Sequence, residues 1–493
     1  MKGQIVILPG MPNDENRDYL PEAIRGSDMI VNENGNNSQV YPSGLKEHRG
    51  QLADGVEDVW YEYVPKSYDG SRPVPLVLSM HGGLMTGWGQ AVYTSWTLVA
   101  DREGFIVVFP SAGKRRFWTI ECEKEKLAEA TAPRDDDIYI NVPPERPEDN
   151  HDMNFVLALM DRMKQQYAID EGRVYIQGMS MGNLMTSQMV RYYGHLFAGK
   201  AGSGGPSSPG LLFDESDELI NRGGPVAVWQ SRLEHDVVPP HFKGDTDTVV
   251  RRNREYWSRI NGCLPIPEIK IEGEDNLAFY KGERGDMVFR DVKNRDHGQT
   301  FDDAELVWDY LFSGTRRDAD GRIVHEESLL PRRGDEFNIA VAAGSDKAFV
   351  RNSVVPMGKP AFVHRKLKYH GLNGDTIVRG EYVLVPVSFA ASVFGAECRS
   401  SADGWTAELS FPDGRAVQFA RGSIGCVVDN RVRAMLCEAV LADGELHVSI
   451  EWLCRSLFNH HATSCEGVLY MTDHPAELSK NMAHLIRDEI LFA

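Results

Sequence analysis

A single serine in the chain carries glycines at the spacing that a nucleophilic serine requires. Ser180 is the only serine with a glycine two residues before it and another two residues after it. The apolar run Val174–Ile176 predicts a buried strand before the motif, and Asn183–Val190 predicts a helix after it. Gly-x-Ser-x-Gly between a strand and a helix is typical of a nucleophile elbow, whose turn is too tight for a Cβ at either glycine. We therefore predict that Ser180 is a nucleophile; an ordinary tight turn is the alternative interpretation.

A serine hydroxyl needs a base within hydrogen-bond reach, and the base needs a carboxylate that orients it. Where this elbow occurs, the order along the chain is serine, acid, histidine. The acid is expected just after the predicted strand Pro225–Gln230, where Asp236 is the best candidate and Glu234 the alternative. The base is expected before the last helix, and His297 is the only histidine of Asn294–Thr300. The sequence thus predicts a serine–histidine–aspartate triad.

Cleavage of an ester passes through an oxyanion that needs two fixed N–H donors. One predicted donor is the backbone of Met181, next to the nucleophile. The other is expected in the glycine-rich loop after the strand Pro75–Met80, at Gly83 or, as the alternative, at Leu84. Glycine lets the backbone approach a substrate closely. His81, at the start of this loop, is expected to support the loop rather than to react.

Further aromatic and histidine side chains are expected at the same edge of the sheet. Trp88, Trp118 and Trp229 are predicted to lie in loops there, where they would either stack on an aromatic acyl group or pack in the domain. His235 and His241 are closer to the predicted acid in sequence, but they lie in the wrong segment for the base. We interpret these two histidines as residues of a loop or of the rim of the pocket.

Alternating strands and helices are predicted to position these residues. The predicted strands are Val59–Pro65, Pro75–Met80, Phe105–Pro110, Val174–Ile176, Pro225–Gln230 and Asp286–Val292. The predicted helices are Ser95–Glu103, Asp152–Gln166, Asn183–Val190, Val249–Ile260 and Phe301–Phe312. Short apolar strands that alternate with helices are typical of a parallel sheet covered on both faces. The predicted fold class is α/β, with a mostly parallel, doubly wound sheet.

The 493 residues are enough for two or three domains. The predicted segments are an extended N-terminal arm at 1–57, a catalytic α/β domain at 58–315, a polar linker at 316–335, and a smaller α+β accessory domain with a C-terminal helix at 336–493. The charged, proline-rich segment 121–150 has no core-forming period, so we interpret it as a lid or as a solvated loop.

Composition and charge exclude several classes of function. The formal net charge of -19, from 72 acidic and 53 basic residues, argues against binding to nucleic acid or to an anionic membrane. No run approaches the length of about 18 apolar residues that a transmembrane helix needs. Residues 1–10 have no small-residue cleavage site, so the sequence as written indicates a cytoplasmic location, with a secreted mature form as the alternative.

The cysteines and histidines do not indicate a disulfide framework or a metal site. The seven cysteines are spread thinly and form no Cys-x-x-Cys pair. Cys454, His460, His461 and Cys465 lie close together in sequence, but their spacing matches no standard zinc pattern. We therefore predict no bound metal.

With these residues in place, 58–313 resembles the poly(3-hydroxybutyrate) depolymerase-like esterases, which include feruloyl esterases. The segments that carry the resemblance are His81–Gly83, Trp118, Asp152–Phe155 and above all Tyr167–Gly182. The resemblance implies an α/β-hydrolase fold and a serine esterase without a cofactor, acting on polyester or hydroxycinnamoyl–carbohydrate esters. Gln230–Arg232 departs from the His-Gly-Thr that such enzymes often carry before the acid. The competing class is a carbohydrate- or cell-wall-binding protein on an inactive esterase scaffold.

The accessory domain contains an internal repeat. Glu381–Gly395 and Glu445–Asn459 each predict a strand, a short helix and a stop at Gly or Asn, which indicates a duplicated supersecondary unit. Val383–Ala396 resembles the domain found at the N-terminus of copper amine oxidases, an accessory module widespread in Gram-positive bacteria. That module does not itself imply copper, and we predict none.

Overall fold

The computed structural model describes residues 42–134, 139–238, 244–370 and 375–493. The chain divides into two compact units. The first comprises Met1–Pro267 and Ala278–Arg332, and the second comprises Glu268–Leu277 and Arg333–Ala493. Residues 268–277 fall within the predicted catalytic domain, whereas in the structure this segment groups with the C-terminal part of the chain.

A mixed sheet forms the centre of the first unit. The first ten strands in chain order are β1 Leu45–Gly50, β2 Asp58–Tyr63, β3 Val74–Met80, β4 Ile106–Ser111, β5 Ile169–Met179, β6 Gly199–Ser203, β7 Ala227–Leu233, β8 Glu268–Glu272, β9 Asp275–Tyr280 and β10 Met287–Val292. In the described part of the first unit the order is β1-β2-β4-β3-β5-β6-β7-β10. The pairs β1–β2 and β2–β4 are antiparallel, and all pairs from β4 to β10 are parallel. Every residue of β3 and β10 is buried, as expected for strands with both faces covered.

Seven described helices accompany these strands. They are α1 Gly87–Tyr93, α2 Trp96–Glu103, α3 Leu127–Ala130, α4 His151–Gln166, α5 Met181–Tyr193, α6 Thr246–Asn261 and α7 Asp303–Tyr310. The long helices begin at side-chain caps: the Asn150 side chain accepts N–H bonds at the start of α4, and that of Asp245 does so at the start of α6. The six predicted strands and five predicted helices of this domain are confirmed, with ends that shift by a few residues.

Two helices were not predicted from the sequence: the four-residue α3 and the longer α1. Helix α1 is short and contains two glycines, so its sequence carries little helical signal. Gly87 is required by close packing, because a Cβ there would lie 2.1 Å from the carbonyl oxygen of Phe109. The helix therefore forms through tertiary packing against β4 rather than through local propensity.

The predicted arm at 1–57 needs correction where it is described. Residues 1–41 lie outside the described part of the chain. Leu45–Gly50 is not an irregular arm but the edge strand β1, paired with β2 along its whole length. The side chain of Glu47 accepts a hydrogen bond from the hydroxyl of Tyr61 at 3.0 Å on that pair. The polar composition of this segment reflects an edge strand with one exposed face.

The predicted linker at 316–335 also needs correction. Thr315–Arg317 (β11) and Ile323–His325 (β12) form an antiparallel hairpin that belongs to the first unit. The buried guanidinium of Arg317 donates to the carbonyl oxygens of Phe197, Gly194 and Pro225 at 2.7–2.8 Å. This burial lowers the pKa of Arg317 to about 10. This segment is polar in composition, which suggested a linker. One of its polar residues is Arg317, and the hydrogen bonds of Arg317 hold the hairpin against the domain.

The charged segment 121–150 is attached to the domain by buried carboxylates. The side chain of Glu123 is 8% exposed and accepts hydrogen bonds from the Ser208 hydroxyl and, at 3.1 Å, from the Gly210 N–H. Glu121 forms an ion pair with the buried Arg191. The segment is therefore anchored at Glu121 and Glu123, because buried charges of this kind must be paired, while other described residues such as Lys124 and Arg146 are exposed. Whether the segment acts as a lid stays a prediction.

The second unit is rich in strands. They are β13 Asn338–Ala342, β14 Lys347–Val350, β15 Ser353–Pro356, β16 Phe362–His370, β17 Asp375–Pro386, β18 Glu397–Ser400, β19 Thr406–Ser410, β20 Ala416–Ala420, β21 Gly425–Val428, β22 Arg431–Ala434, β23 Val440–Ala442, β24 Glu445–Ser449, β25 His461–Cys465 and β26 Val468–Thr472. Its helices are α8 Val387–Val393, α9 Ile450–Leu457 and α10 Lys480–His484, which continues as π-helical turns at Leu485–Leu491. The strands form sheets in the orders β15-β14-β13-β26-β25, β16-β17-β24-β23 and β18-β19-β20-β21-β22.

The internal repeat corresponds to two matching strand–helix units. Strand β17 runs into α8 and strand β24 runs into α9, and the two strands pair with each other antiparallel. Phe394 and Phe458 occupy the same position in the two copies, and their rings stack at 4.3 Å with an interplanar angle of 5°. The next residues, Gly395 and Asn459, both have positive φ, of 66° and 54°. The duplicated unit predicted from sequence is confirmed, and so is the C-terminal helix.

In the ranges that the structure describes, no helix is long and apolar enough to span a membrane.

Candidate active site

The turn between β5 and α5 has the geometry of a nucleophile elbow. Ser180 has φ 54° and ψ -118°, a strained conformation for a residue with a side chain. A Cβ on Gly178 would lie 2.2 Å from the carbonyl oxygen of Gly182, and one on Gly182 would lie 2.3 Å from that of Met80. Both glycines are therefore required by backbone packing, as the sequence predicted.

The structure brings Ser180, His297 and Asp236 together. The Nε2 atom of His297 lies 2.8 Å from the Ser180 Oγ, and its Nδ1 atom lies 2.8 Å from the Asp236 Oδ1. Because an ionised carboxylate only accepts, Nδ1 carries the ring proton and Nε2 is left to accept from the serine hydroxyl. The side chain of His297 is 49% exposed, whereas that of Asp236 is 2% exposed. This arrangement can remove a proton from the serine when the hydroxyl attacks a carbonyl carbon.

The loop that carries His297 is fixed by residues that the sequence analysis did not identify. The Ser203 hydroxyl donates to the Gly298 carbonyl at 2.6 Å. The Gln177 side chain, on the strand that leads to the elbow, donates to the Gln299 side chain at 3.2 Å. These contacts connect the base to β5 and β6. The one sequence signal for these contacts is that Gln177 is a polar residue on a central strand and therefore needs a buried partner. That signal does not identify the partner, which lies about 120 residues away.

A buried arginine, Arg232, forms a hydrogen bond with the second carboxylate oxygen of Asp236. The guanidinium of Arg232 donates to the Asp236 Oδ2 at 2.8 Å and also to the Asp236 backbone carbonyl. The two side chains are 4% and 2% exposed. Burial lowers the pKa of Arg232, and the charge of Asp236 opposes that shift. Arg232 lies in the stretch that departs from the His-Gly-Thr pattern, so the departure introduces a buried ion pair beside the acid.

The alternative acid and the neighbouring histidines lie elsewhere. The Glu234 carboxylate accepts from the Asn294 N–H at 2.9 Å, which fixes the start of the loop that carries the base. His235 is largely exposed, and its ring lies 3.8 Å from the Glu234 carboxylate. His241 lies outside the described residues. Asp236 is thus the acidic side chain that contacts the His297 ring in the described part of the site.

The two residues predicted to stabilise the oxyanion, Met181 and Gly83, lie in neighbouring segments. Met181 is the first residue of α5, where backbone N–H groups have no intrahelical partner. A Cβ on Gly83 would lie 3.2 Å from the Met181 Cγ, so the glycine loop passes next to the start of this helix. The N–H of Leu84 donates to the Arg116 carbonyl at 3.0 Å. Of the two alternatives in this loop, Gly83 is therefore the better candidate.

His81 supports the glycine loop from below. Its Nε2 atom accepts from the Ala112 N–H at 2.8 Å, so the ring proton is on Nδ1, which donates to the Gly82 carbonyl at 2.6 Å. The Trp118 indole N–H donates to the His81 carbonyl at 2.8 Å. Complete burial lowers the pKa of His81 to about 4, so the ring stays neutral at pH 7.

The three tryptophans named as possible substrate contacts are buried, which favours the alternative interpretation that they pack in the domain. Trp118 and Trp229 are fully buried, and Trp88 is 7% exposed. Trp118 braces the glycine loop, and Trp229 lies within β7 with its indole N–H donating to the Ser231 hydroxyl at 2.7 Å. Trp88 lies in α1 rather than in a loop. Their apolar rings fill the core beneath the site, which is the commoner use of tryptophan.

The mixed sheet, the elbow after β5 and the contacts among serine, histidine and aspartate fit the α/β-hydrolase fold.

No protein-family model matches the chain. The chain is similar to curated ester hydrolases. A bifunctional acetylxylan esterase/xylanase of Neocallimastix patriciarum is 31% identical over 257 residues, which cover 49% of this chain and 31% of that protein.

A second curated relative is poly(3-hydroxyalkanoate) depolymerase C of Paucimonas lemoignei. It is 26% identical over 235 residues, covering 42% of this chain and 50% of that protein. The chain thus spans half or less of the length of these two relatives. Among solved structures, an acetyl xylan esterase from Aspergillus awamori superposes with a TM-score of 0.39 at 17% identity, covering 55% of this chain and 98% of that one.

Proposed function

We propose that the first unit is a serine carboxylic-ester hydrolase. The observation that carries the proposal is the position of His297, whose two ring nitrogens lie 2.8 Å from the Ser180 Oγ and the Asp236 Oδ1. A strained serine at the start of a helix, within reach of a base that a buried carboxylate orients, is the arrangement that activates a hydroxyl. The similarity to curated esterases supports the same reaction class.

In the proposed reaction the Ser180 oxygen attacks the ester carbonyl carbon while His297 Nε2 takes the hydroxyl proton. The backbone N–H groups of Met181 and Gly83 stabilise the negative oxygen of the tetrahedral intermediate. The C–O bond to the alcohol then breaks, and His297 returns its proton to the leaving oxygen. Water then attacks the acyl carbon while the same imidazole takes its proton; the bond between this carbon and the Ser180 oxygen breaks, the imidazolium returns the proton to Ser180, and the acid leaves. Asp236 holds the tautomer and stabilises the imidazolium. No step requires a cofactor.

We propose esters of a carbohydrate polymer as the substrate class, with a short acyl group such as acetate. The half-exposed His297 supports access by a large alcohol portion. The three tryptophans are buried, so they offer no aromatic surface on which a hydroxycinnamoyl group would stack. The names of the curated relatives include acetylxylan esterase and polyhydroxyalkanoate depolymerase, so these substrates and feruloyl esters form the panel to compare.

The test is hydrolysis of acetylated xylan, methyl ferulate and hydroxybutyrate oligomers by the wild-type chain and by Ser180→Ala. We expect the largest kcat/KM on acetylated xylan and no turnover of any ester by the variant. Ser71→Ala, an exposed serine in a turn, is the matched control and should act like the wild type. Near-wild-type turnover by Ser180→Ala would contradict the nucleophile, whereas a preference for methyl ferulate would contradict only the acyl group.

The competing proposal is a carbohydrate-binding protein on an inactive esterase scaffold. The contacts of His297 with both partners are the observation against it, because an inactive scaffold has no need to keep them. A chain that binds acetylated xylan without releasing acetate would favour the binding protein.

A further inference from the structure

A small polar cavity lies directly behind the acid of the candidate triad. It has a volume of about 30 Å³ and lies between the strands β6 and β7 and the helices α5 and α6. Two cationic side chains line it, Lys200 from β6 and Arg232 from β7. No aspartate or glutamate is among the described residues that line it. A volume of this size holds one guest of about the size of a water molecule.

Lys200 is buried without a carboxylate partner among the described residues. Its side chain is 1% exposed, and its ammonium donates to the Asn183 Oδ1 at 3.2 Å and to the Ser187 Oγ at 2.9 Å. An ammonium has three donors, so these two bonds leave one. Burial alone lowers the pKa of Lys200 to about 7. The Trp257 ring centroid lies 5.5 Å from the ammonium nitrogen and offsets part of the cost of burying this charge. A counter-ion is the usual remedy for the rest of that cost.

Arg232 contributes a second unused donor. Its terminal nitrogens bond to Asp236, but the buried Nε atom has no hydrogen-bond partner within the described part of the chain. Buried N–H groups are nearly always satisfied, so an unpartnered one that lines a cavity indicates a missing acceptor. Arg232 and Lys200 therefore both line this cavity, each with a donor to spare. The charges of Asp236, Asp291 and Asp247 already act on Arg232, so Lys200 is the cation without a counter-charge.

Three of the neutral side chains around the cavity already accept a hydrogen bond. The Asn183 Oδ1 accepts from Lys200, and the Asn253 Oδ1 accepts from the Ser207 N–H at 3.0 Å. The Ser231 hydroxyl accepts from Trp229 and donates to Asp303. The Gln230 amide, which also lines the cavity, has donors as well as an acceptor, and the two cationic side chains have only donors. A water molecule would have to place its own two hydrogens on acceptors, whereas an anion only accepts.

We propose that this cavity binds one monovalent anion of halide size, with chloride as the physiological candidate. The anion accepts from the Lys200 ammonium and the Arg232 Nε, and it supplies the negative charge that Lys200 lacks. It lies against Asn183 of the elbow helix and against the arginine that holds Asp236, so it stabilises the acid side of the site from behind. The site is independent of the reaction proposed above, because its test detects an ion rather than turnover.

The direct test uses bromide, which scatters anomalously. Crystals of the full chain grown in sodium bromide should show an anomalous peak in the cavity, within hydrogen-bond range of the Lys200 Nζ and the Arg232 Nε. The same experiment on Lys200→Met should lose this peak. A wild-type cavity without a peak at saturating bromide, with ions only at the surface, would overturn the proposal.

The solution test is thermal unfolding at constant ionic strength in sodium chloride and in sodium gluconate, an anion too large for the cavity. A ligand that binds only the folded state raises Tm with its concentration. The wild type should therefore have the higher Tm in chloride, and Lys200→Met should have equal values in both salts. Lys46→Met, at an exposed lysine of β1, is the matched control and should keep the difference. Equal wild-type Tm values in the two salts would contradict the site even if Lys200→Met failed to fold.

Discussion

The nucleophile side and the acid side of the candidate site are built by different physical means. On the nucleophile side, glycines let backbone segments approach so closely that a Cβ would lie 2.2–2.3 Å from a carbonyl oxygen. On the acid side, a buried arginine forms an ion pair with a buried aspartate, and the packing is governed by charge. The first side is encoded within five residues of sequence, whereas the second depends on side chains from separate strands and helices.

This difference shows where tolerance to change is expected. Steric exclusion at the elbow has no adjustable partner, because the neighbouring atoms are backbone. An ion pair can be retuned, because its energy depends on the charges and the solvent around it. Variants of the acid side should therefore alter pH dependence, and variants of the elbow should alter activity at every pH.

The largest effect is expected from Asp236→Asn. The change removes the acceptor that fixes the His297 tautomer, so kcat should fall by up to about 10⁴-fold, as in other serine triads. The measurement is the hydrolysis of a small chromogenic ester. Glu234→Gln is the matched control, since its carboxylate contacts the Asn294 N–H instead of the base, and it should retain most activity. A larger loss in Glu234→Gln than in Asp236→Asn would show that the acid is misassigned.

The next largest effect is expected from Gly182→Ala. The added Cβ would lie 2.3 Å from the Met80 carbonyl oxygen, so the elbow must shift and carry Ser180 with it. A shift of about 1 Å at a reacting group can cost about 100-fold in rate. We expect a loss in kcat of that order at every pH, together with a lower Tm. Gly113→Ala is the control, because nothing lies within 4 Å of a Cβ there. Wild-type kcat in Gly182→Ala would refute the steric account.

A smaller effect is expected from Arg232→Gln, which removes a positive charge beside Asp236. Without that charge the His297–Asp236 pair attracts a proton more strongly, and a protonated imidazole cannot act as the base. The acid limb of the pH–rate profile should therefore move to higher pH, with about a tenfold loss in kcat/KM on its acid side. Arg222→Gln is the exposed control. An unchanged profile with only a lower Tm would mean that Arg232 is structural.

The smallest effect is expected from His81→Gln, which should change how the free energy of unfolding depends on pH. Burial lowers its pKa from 6.5 to about 4, so between these values the unfolded state binds a proton that the folded state does not. Stability is fully present above pH 6.5 and is lost as the pH falls towards 4, by about 3 kcal/mol from this group alone. In His81→Gln the free energy of unfolding should fall less steeply over this range, whereas the exposed His195→Gln should keep the wild-type slope. Equal slopes in wild type and His81→Gln would contradict the buried neutral imidazole.

Local features made much of the fold predictable. The elbow, the strand before it and the helix after it follow from five residues and their flanks, and the duplicated unit of the second unit follows from repeated residue types such as Phe394 and Phe458. Contacts across long sequence distances were not predictable. The segment of Arg317 was interpreted as a linker, because the carbonyl groups that bind this arginine lie over 90 residues away in sequence. The burial of Trp118 was likewise not predictable, because it depends on tertiary packing.

The candidate site followed the same division. Chain order located Ser180, Asp236 and His297, since the fold fixes which loops meet at the edge of the sheet. The residues that position them, such as Ser203 and Arg232, carry no motif and became visible only through their distances. The choice between Gly83 and Leu84 likewise rested on one backbone hydrogen bond.

The central claim is that Ser180 is an activated nucleophile, and covalent labelling tests it most directly. A fluorophosphonate probe reacts with a serine only when a base activates it. We expect one probe per chain, attached to Ser180 in peptide mass spectrometry, with no labelling of Ser180→Ala and slow labelling of Asp236→Asn. A wild-type chain that stays unlabelled, or one labelled equally in Ser180→Ala, would contradict the account.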